Sequence, residues 1–346
     1  MKKDWYRTPV DKTILKELTK RNNWRGLIQC GSFLLLYLLT LSGGIYLFRQ
    51  QLWIPLVIVC YVHSILVNFM GWGAAVHELS HGTVFKTKWL NELFLYLFSL
   101  LSWNNPEYFR VSHTNHHLYT LQKELDKEVI QIPVKNKLNW RNLLQWFTFD
   151  FFQLKHFLSR AILHAMGNAD ADYFMWRPLL PPKDPRRKLI VRWARILILF
   201  HIIIVIITIL SRVWILLYFV TFSFFFASFY TKLCGALQHT GLQDNLLDWR
   251  LTTHTFEADA ITRFLYWNMN YHIEHHMYAS VPFYNLPKLH KLVKYDIPKS
   301  PKSLFEGITL LFWIKKKQTI DPNFRYMPQF PPTAQLSPVS GGESNY

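Results

Sequence analysis

The chain of 346 residues is half hydrophobic and 17% aromatic, and it carries a formal net charge of +17. This share of apolar residues excludes an ordinary soluble protein and favours a membrane protein. The three cysteines lie in apolar runs and form no CxxC pair, which excludes a disulfide framework, an iron–sulfur cluster and a zinc ribbon.

The first 23 residues are polar and charged, unlike a secretory signal peptide. Val10, Ile14 and Leu18 follow Pro9 at intervals of four residues, and this spacing predicts a short amphipathic helix. We expect residues 1–23 to form a cytosolic segment that lies against the membrane face.

Four long apolar stretches follow in two pairs, at about 27–48 and 52–76 and at about 194–210 and 213–237. At about 1.5 Å per residue, a helix of this length can cross a hydrocarbon core of about 30 Å. Loops of two or three residues join the members of each pair. The sequence therefore predicts an all-α integral membrane protein with four transmembrane helices in two hairpins.

Two other apolar stretches, at 93–101 and 304–314, are too short to span and predict interfacial or re-entrant helices. The residues after Pro322 are rich in Pro, Ser and Gly, a composition typical of a flexible tail. We therefore expect a membrane domain over 24–318 and a flexible C-terminal tail over 319–346.

Nine of the fifteen histidines are grouped as metal ligands often are. HELSH offers an i, i+4 pair, HTNHH and HIEHH each offer an i, i+3 pair on one helix face, and LQHTG adds a single histidine. One metal takes about six ligands at most, so nine imidazoles argue for two ions. The candidate metal ligands are His77, His81, His113, His116, His117, His239, His272, His275 and His276.

Each predicted hairpin returns the chain to the side from which it left, so all nine histidines are expected at one membrane face. Of the 39 Lys and Arg residues, only Arg49 and Arg212 lie in the far-side loops. The positive-inside rule makes the other side cytoplasmic, and we expect a cytosolic helical cap there that carries the histidines. Anionic lipid headgroups or an acidic electron-transfer partner explain the basic surface, and nucleic acid is not an expected partner.

HELSH also matches the HExxH motif of zinc proteases, in which two histidines bind zinc and a glutamate, here Glu78, is the general base. An intramembrane zinc metalloprotease is therefore one alternative, although it leaves both HxxHH groups unexplained. A membrane protein that binds metal without catalysis is another alternative.

The motifs resemble those of the membrane fatty acid desaturase and hydroxylase family. The resemblance covers about residues 24–294 and is carried by HELSHGTVF, RVSHTNHHLYT, LQHTGL and RFLYWNMNYHIEHHMYASVPFYNLPKLH. The last stretch is most similar to a bacterial-type branch that includes the rhizopine oxygenase, whose members receive electrons from separate ferredoxins. The resemblance implies a non-haem diiron centre, held by all nine histidines, beneath which four helices span the membrane. Some relatives place an asparagine one turn before the isolated histidine, where this chain has Gly235.

The family implies an O₂-dependent oxidoreductase that desaturates a fatty acyl chain, with hydroxylation of a lipid or a small secondary metabolite as the alternative. The chain has no HPGG haem motif and no flavin or nucleotide fingerprint, so electrons are expected from a ferredoxin or cytochrome b5 type carrier with its reductase. The expected location is a bacterial inner membrane or the endoplasmic reticulum, with the active site at the cytoplasmic face.

Several polar residues near the motifs are candidates for orienting the ligand imidazoles by hydrogen bonds. Glu78 and Glu274 lie inside the other motifs, and Glu124, Asp126 and Glu128 follow HTNHH, where a solvated loop is the equal alternative. Asp244, Asp248 and Arg250 have either that role or a role in capping a turn. His63 and His201 are predicted to be hydrogen-bonded inside spanning helices, and the remaining histidines, His156, His164, His254 and His290, to be surface or orienting groups.

Overall fold

The computed structural model describes residues 4–123, 125, 126, 128, 140–171 and 179–335. Within these ranges the chain is helical, and the only extended pairing is three isolated β-bridges. Glu124 and the end of the predicted tail, 336–346, lie outside the described residues. The α-helices are, in chain order, α1 (Lys12–Leu18), α2 (Asn23–Arg49), α3 (Trp53–Met70), α4 (Ala75–Ser80), α5 (Lys88–Leu101), α6 (Pro106–Tyr119), α7 (Trp140–Phe147), α8 (Phe151–Ala165), α9 (Arg186–Ser211), α10 (Ile215–Leu217), α11 (Phe229–His239), α12 (Trp249–Thr252), α13 (Ala260–Leu265), α14 (His272–Met277), α15 (Leu286–Val293) and α16 (Leu304–Ile320).

The chain divides into two compact units, each built from separate parts of the sequence. The first unit comprises Met1–Arg21, His113–Lys137 and Leu233–Tyr346. The second unit comprises Asn22–Ser112 and Leu138–Lys232 and holds the long apolar helices.

Three helical stretches of the second unit are long and apolar enough to cross a membrane: Asn23–Arg49, Trp53–Ser80 and Arg186–Ser211. The second of them comprises α3, a turn at 71–74 and α4. They correspond to the predicted stretches 27–48, 52–76 and 194–210, and in an apolar environment a helix satisfies its backbone hydrogen bonds within the segment. The side chain of Asn22 caps the first of them by accepting a hydrogen bond from the backbone N–H of Arg25 at 3.1 Å.

The predicted fourth span, 213–237, is not one continuous helix. An apolar helical stretch over Ile215–Phe225 contains a π turn and a 3-10 turn, and α11 begins only at Phe229. Ala227 has a φ of +49°, outside the helical region. Polar side chains bind the carbonyls freed by this break: Asn68 donates to Phe226 and Gln153 donates to Phe224. Apolar periodicity could not reveal the break, because its cause lies in side chains distant in sequence.

The two histidines predicted inside spanning helices are buried and hydrogen-bonded, as expected. The ring of His63 bonds to the Phe219 carbonyl at 2.9 Å and to the Thr40 hydroxyl at 2.7 Å. His201 stacks on Trp103 with ring centroids 3.9 Å apart and contacts the Thr221 hydroxyl at 3.3 Å. Both are therefore structural residues of the second unit.

The first unit is organised around a buried Arg250. Its guanidinium donates to Asp248 at 2.7 Å and to Asp296 at 2.8 Å, and all three side chains are almost fully buried. Thr8 donates to the same Asp296 at 2.6 Å, and the Gln335 backbone N–H donates to it as well. Both ends of the described chain are thereby fixed to one ion cluster.

Asp248 also caps α12 by accepting the backbone N–H of Arg250 at 3.0 Å. Of the two roles predicted for Asp248 and Arg250, the structure thus favours the local structural one. The predicted short helix after Pro9 is confirmed as α1, with Asp11 as its N-cap. Of the three residues that predicted its apolar face, Leu18 is buried, Ile14 is 44% exposed and Val10 lies before the helix.

Candidate metal centre

Short helices carry the histidines of all three motifs. The HTNHH histidines lie on the last two turns of α6, His239 is the last residue of α11, and the HIEHH histidines lie on α14. In the first unit these elements bring seven of the nine predicted ligands into two groups. The four-histidine site consists of His116, His239, His272 and His276, and the three-histidine site consists of His113, His117 and His275.

In the four-histidine site the imidazoles point their Nε2 atoms at one another. The Nε2 of His239 lies 3.2 Å from that of His116 and 3.1 Å from that of His272. The Nε2 of His276 lies 3.2 Å from that of His272. All four residues are at most 4% exposed, so the site is shielded from bulk water.

Hydrogen bonds at the opposite ring nitrogens show which nitrogen carries the proton. The Nδ1–H of His239 donates to the Thr252 carbonyl at 2.8 Å, and that of His116 donates to Asp126 at 2.9 Å. The Thr120 hydroxyl donates to the His116 carbonyl at 2.8 Å, so it accepts from His276 Nδ1 at 3.2 Å. In a neutral imidazole only one nitrogen bears hydrogen, so these three rings turn Nε2 lone pairs towards one another. Lone pairs at this distance repel unless a cation lies between them.

A proton on one ring would satisfy only part of these contacts. Burial lowers the pKa of His116, but the Asp126 carboxylate outweighs burial and raises the pKa overall. Burial and the neighbouring His116 lower the pKa of His239 to about 3, and burial and the surrounding histidines lower the pKa of His276 well below its usual value. A proton on His116 would satisfy its contact with His239 and would leave the two contacts of His272, with His239 and with His276, unchanged. A bound metal cation satisfies all four.

The spacing of the nitrogens fits one metal ion. Ligand nitrogens about 2.1 Å from a metal are roughly 3.4 Å apart in a tetrahedron and roughly 3.0 Å apart at the right angles of an octahedron. The observed Nε2 separations of 3.1–3.2 Å lie between these limits. The donor set is therefore chemically and geometrically suited to a divalent transition metal.

The three-histidine site repeats this arrangement. The Nε2 of His117 lies 3.1 Å from that of His113 and 3.2 Å from that of His275. The Nδ1–H of His113 donates to the Glu128 carboxylate at 3.1 Å, which again leaves the Nε2 of His113 as the ligand atom. Three imidazoles, one of them backed by a carboxylate, are typical metal ligands, and a metal bound by them would have room for further ligands.

The HELSH motif lies in the second unit, on α4 and the residue after it. The rings of His77 and His81 are 5.2 Å apart between centroids, as the i, i+4 spacing predicts. Glu78 is fully buried, and its carboxylate accepts from His77 Nδ1 at 3.2 Å. Glu78 thus lies behind a ligand imidazole, where a carboxylate orients the ring.

Two of the carboxylates predicted to orient ligands after HTNHH, Asp126 and Glu128, contact ligand imidazoles as expected. Glu274 does not: it accepts from Thr255 at 2.6 Å and from His290 Nδ1 at 2.5 Å, and this contact raises the pKa of His290 against the effect of burial. His290, like the other three histidines predicted as surface or orienting groups, is buried.

Some contacts of the four-histidine site were not predicted, because their sequence signal is weak. The Thr252 carbonyl is a backbone atom, and any residue offers one. Trp249 lies with its ring 6.3 Å from that of His276, and Trp5 stacks on Trp249 with centroids 4.7 Å apart and planes within 5°. These rings shield the site. The contact of Trp5 could not be predicted, because Trp5 is far from the histidines in sequence and meets the site only in the folded chain.

Comparison with known proteins agrees with the histidine geometry. The model of the family described as "Fatty acid desaturase" matches residues 51–307, which is more than half of the chain and contains all nine predicted ligands. No curated protein matches the chain.

Proposed function

Because the chain belongs to the fatty acid desaturase family, and because that family implies an oxidoreductase, we propose that it is an O₂-dependent membrane enzyme with two irons, which desaturates a fatty acyl chain. The observation that carries the proposal is the four-histidine site, where buried Nε2 atoms face one another at 3.1–3.2 Å. The histidine geometry supports the metals in this proposal, and membership of the family supports the acyl substrate.

We assign the ligands in two sets. His116, His239, His272 and His276 hold one iron. His113, His117 and His275 hold the other iron, and the family resemblance adds His77 and His81 of HELSH to the ligands of the diiron centre. All nine histidines are catalytic residues in this proposal, because they would hold the metals, which would supply the redox chemistry. The position of Gly235 in α11 offers no side chain, so it adds no ligand to the first set.

Iron is preferred to zinc because removing hydrogen from an unactivated acyl chain requires a redox metal and O₂, and zinc supplies no redox chemistry. The protein's own contribution is to fix the imidazoles. Asp126, Glu128 and the Thr252 carbonyl hold the Nδ1 protons, so that each Nε2 stays available for the metal. The buried rings and the Trp249 side chain keep bulk water away from the reacting centre.

The zinc protease alternative explains less of the structure. It needs the two histidines of HELSH, a further ligand and Glu78 as a base facing a metal-bound water. The observed Glu78 carboxylate instead contacts His77 Nδ1, and the four-histidine site lies outside the HELSH motif altogether.

For the membrane arrangement we propose four crossings, the fourth being the interrupted stretch from Ile215 into α11. The histidines then lie at the cytoplasmic face of a bacterial inner membrane or the endoplasmic reticulum. The electron donor proposed is a ferredoxin or cytochrome b5 type carrier with its reductase. A net charge of +17 favours an acidic carrier.

The test is to express the chain in a host without a desaturase and to supply isotope-labelled acyl substrates, O₂ and an electron-donor pair. Mass spectrometry distinguishes the outcomes: an alkene has two hydrogens fewer than the substrate, and an alcohol has one oxygen more. We expect the alkene, with no product under nitrogen. A matched pair of variants is His116→Ala, expected to be inactive, and His156→Gln in α8, expected to be active. Failure of every acyl substrate to react in a protein loaded with iron would contradict the proposed substrate class.

A further inference from the structure

An open groove of about 490 Å³ lies on the second unit where α9 begins. Its polar half is formed by the side chains of Arg187, Lys188, Arg192 and Arg195, and its apolar half includes Ile196 and Leu199. None of the described residues that line it is acidic. The groove therefore combines a concentrated positive charge with an apolar surface.

The cations are arranged along one face of α9. Lys188, Arg192 and Arg195 follow one another at intervals of four and three residues, which places them on the same side of the helix, and all three are exposed. Asp170 binds Arg187 at 2.8 Å, and the Ala165 carbonyl accepts the Arg195 Nε–H at 2.9 Å. These contacts fix the side chains of Arg187 and Arg195, and Lys188 and Arg192 line the groove between them.

The apolar half continues as a stripe towards the middle of the candidate membrane span. Ile196, Leu199, Ile203 and Ile206 lie three or four residues apart, and each is 40–56% exposed. At about 1.5 Å per residue, the stripe from Ile196 to Ile206 is roughly 15 Å long. A molecule in the groove would thus have a headgroup among cations and a tail beside apolar side chains.

We propose that this groove binds an anionic phospholipid, with the phosphate among Lys188, Arg192 and Arg195 and one acyl chain along the stripe. Charge complementarity selects the anionic headgroup. A soluble polyanion would leave the apolar half without a partner, whereas a lipid fills both halves. The assignment rests on α9 as a membrane span and not on the proposed oxidation reaction, so either can fail alone.

Native mass spectrometry of the full-length, detergent-purified protein provides the test. The protein is titrated with dioleoyl phosphatidylglycerol and, separately, with dioleoyl phosphatidylcholine, which has the same chains and no net charge. We expect one phosphatidylglycerol to be retained in preference to phosphatidylcholine. With each cation near an anionic surface contributing about 1 kcal/mol, Lys188→Gln together with Arg192→Gln should weaken retention about 30-fold.

The matched control is Lys86→Gln together with Lys88→Gln, which removes the same charge from exposed positions outside the groove. It should retain the lipid as the wild type does. Equal retention of the two lipids by the wild type, or equal loss in both double variants, would overturn the proposal. Inorganic phosphate and glycerol 3-phosphate distinguish a lipid from a free phosphate: displacement of the lipid by either at millimolar concentration would assign the groove to a soluble anion. Ile196→Ala with Leu199→Ala, which keeps all cations, should also weaken lipid retention.

Discussion

Replacing Asp126 by asparagine tests how the protein keeps a histidine ready for metal. The buried carboxylate accepts from His116 Nδ1 and from the Leu121 backbone N–H, both at 2.9 Å. Asparagine has the same shape but no charge, and it can turn its amide N–H towards His116. The ring would then move its proton to Nε2, the atom that faces the other three histidines.

Loss of a carboxylate behind a metal-ligating histidine typically weakens metal binding 10–100-fold, equivalent to about 1.4–2.7 kcal/mol. We expect Asp126→Asn to weaken one of two metal sites by this amount and to leave the other unchanged. Anaerobic titration with ferrous iron against a chelator of known affinity measures both sites. At iron concentrations that nearly saturate both sites of the wild type, the variant should bind iron in two separate steps.

The matched control is Asp150→Asn, which removes another buried carboxylate. Asp150 caps α8 and binds Ser228 and Lys232, so its loss should reduce the stability of the second unit without changing metal affinity. Wild-type affinity at both sites in Asp126→Asn, or equal weakening in the two variants, would refute the role assigned to Asp126.

Four further predictions concern metal and stability. His116→Ala should retain about one metal per chain in place of two by elemental analysis, and two retained metals would contradict the ligand assignment. Removal of metal by a chelator should lower the melting temperature, because a ligand at 1,000 times its Kd stabilises the native state by about 4 kcal/mol; an unchanged melting temperature would count against a folded, metal-bound site. Arg250→Met leaves Asp248 and Asp296 buried without their cation and should cost about 3–5 kcal/mol in denaturant unfolding, whereas a cost below about 1 kcal/mol would contradict the role of the ion cluster. Gly241→Ala should cost about 1–3 kcal/mol of stability, because Gly241 has a φ of +75° and a Cβ there would lie 2.2 Å from Ile314. Gly31→Ala in α2 is the control and should be tolerated, because no atom lies within 4 Å of the added Cβ. Equal stability of the two variants would refute the steric argument.

The sequence was sufficient for the features that depend on spacing along one helix. The histidines of HTNHH and HIEHH lie on α6 and α14, and three of the four apolar stretches form long helices. These predictions hold because helix periodicity and apolar length act within a single segment. The predicted i, i+3 pairing is wrong, because the i, i+4 histidines of each motif share a site and the i+3 histidine belongs to the other site.

Features that depend on contacts distant in sequence could not be predicted. The break near Ala227 is stabilised by Asn68 and Gln153, which lie on other helices. The partition of the HTNHH histidines between the two sites depends on where α11 and α14 place His239 and the HIEHH residues. Arg250 gave a local signal beside Asp248, but its second partner, Asp296, is 46 residues further along the chain.

The metal content of the purified chain tests the central claim most directly. Elemental analysis of protein from cells grown with added iron should give about two irons per chain, and each should be lost stepwise as histidines from the two sites are replaced. About one zinc and no iron would contradict the diiron assignment and favour the metalloprotease alternative based on HELSH.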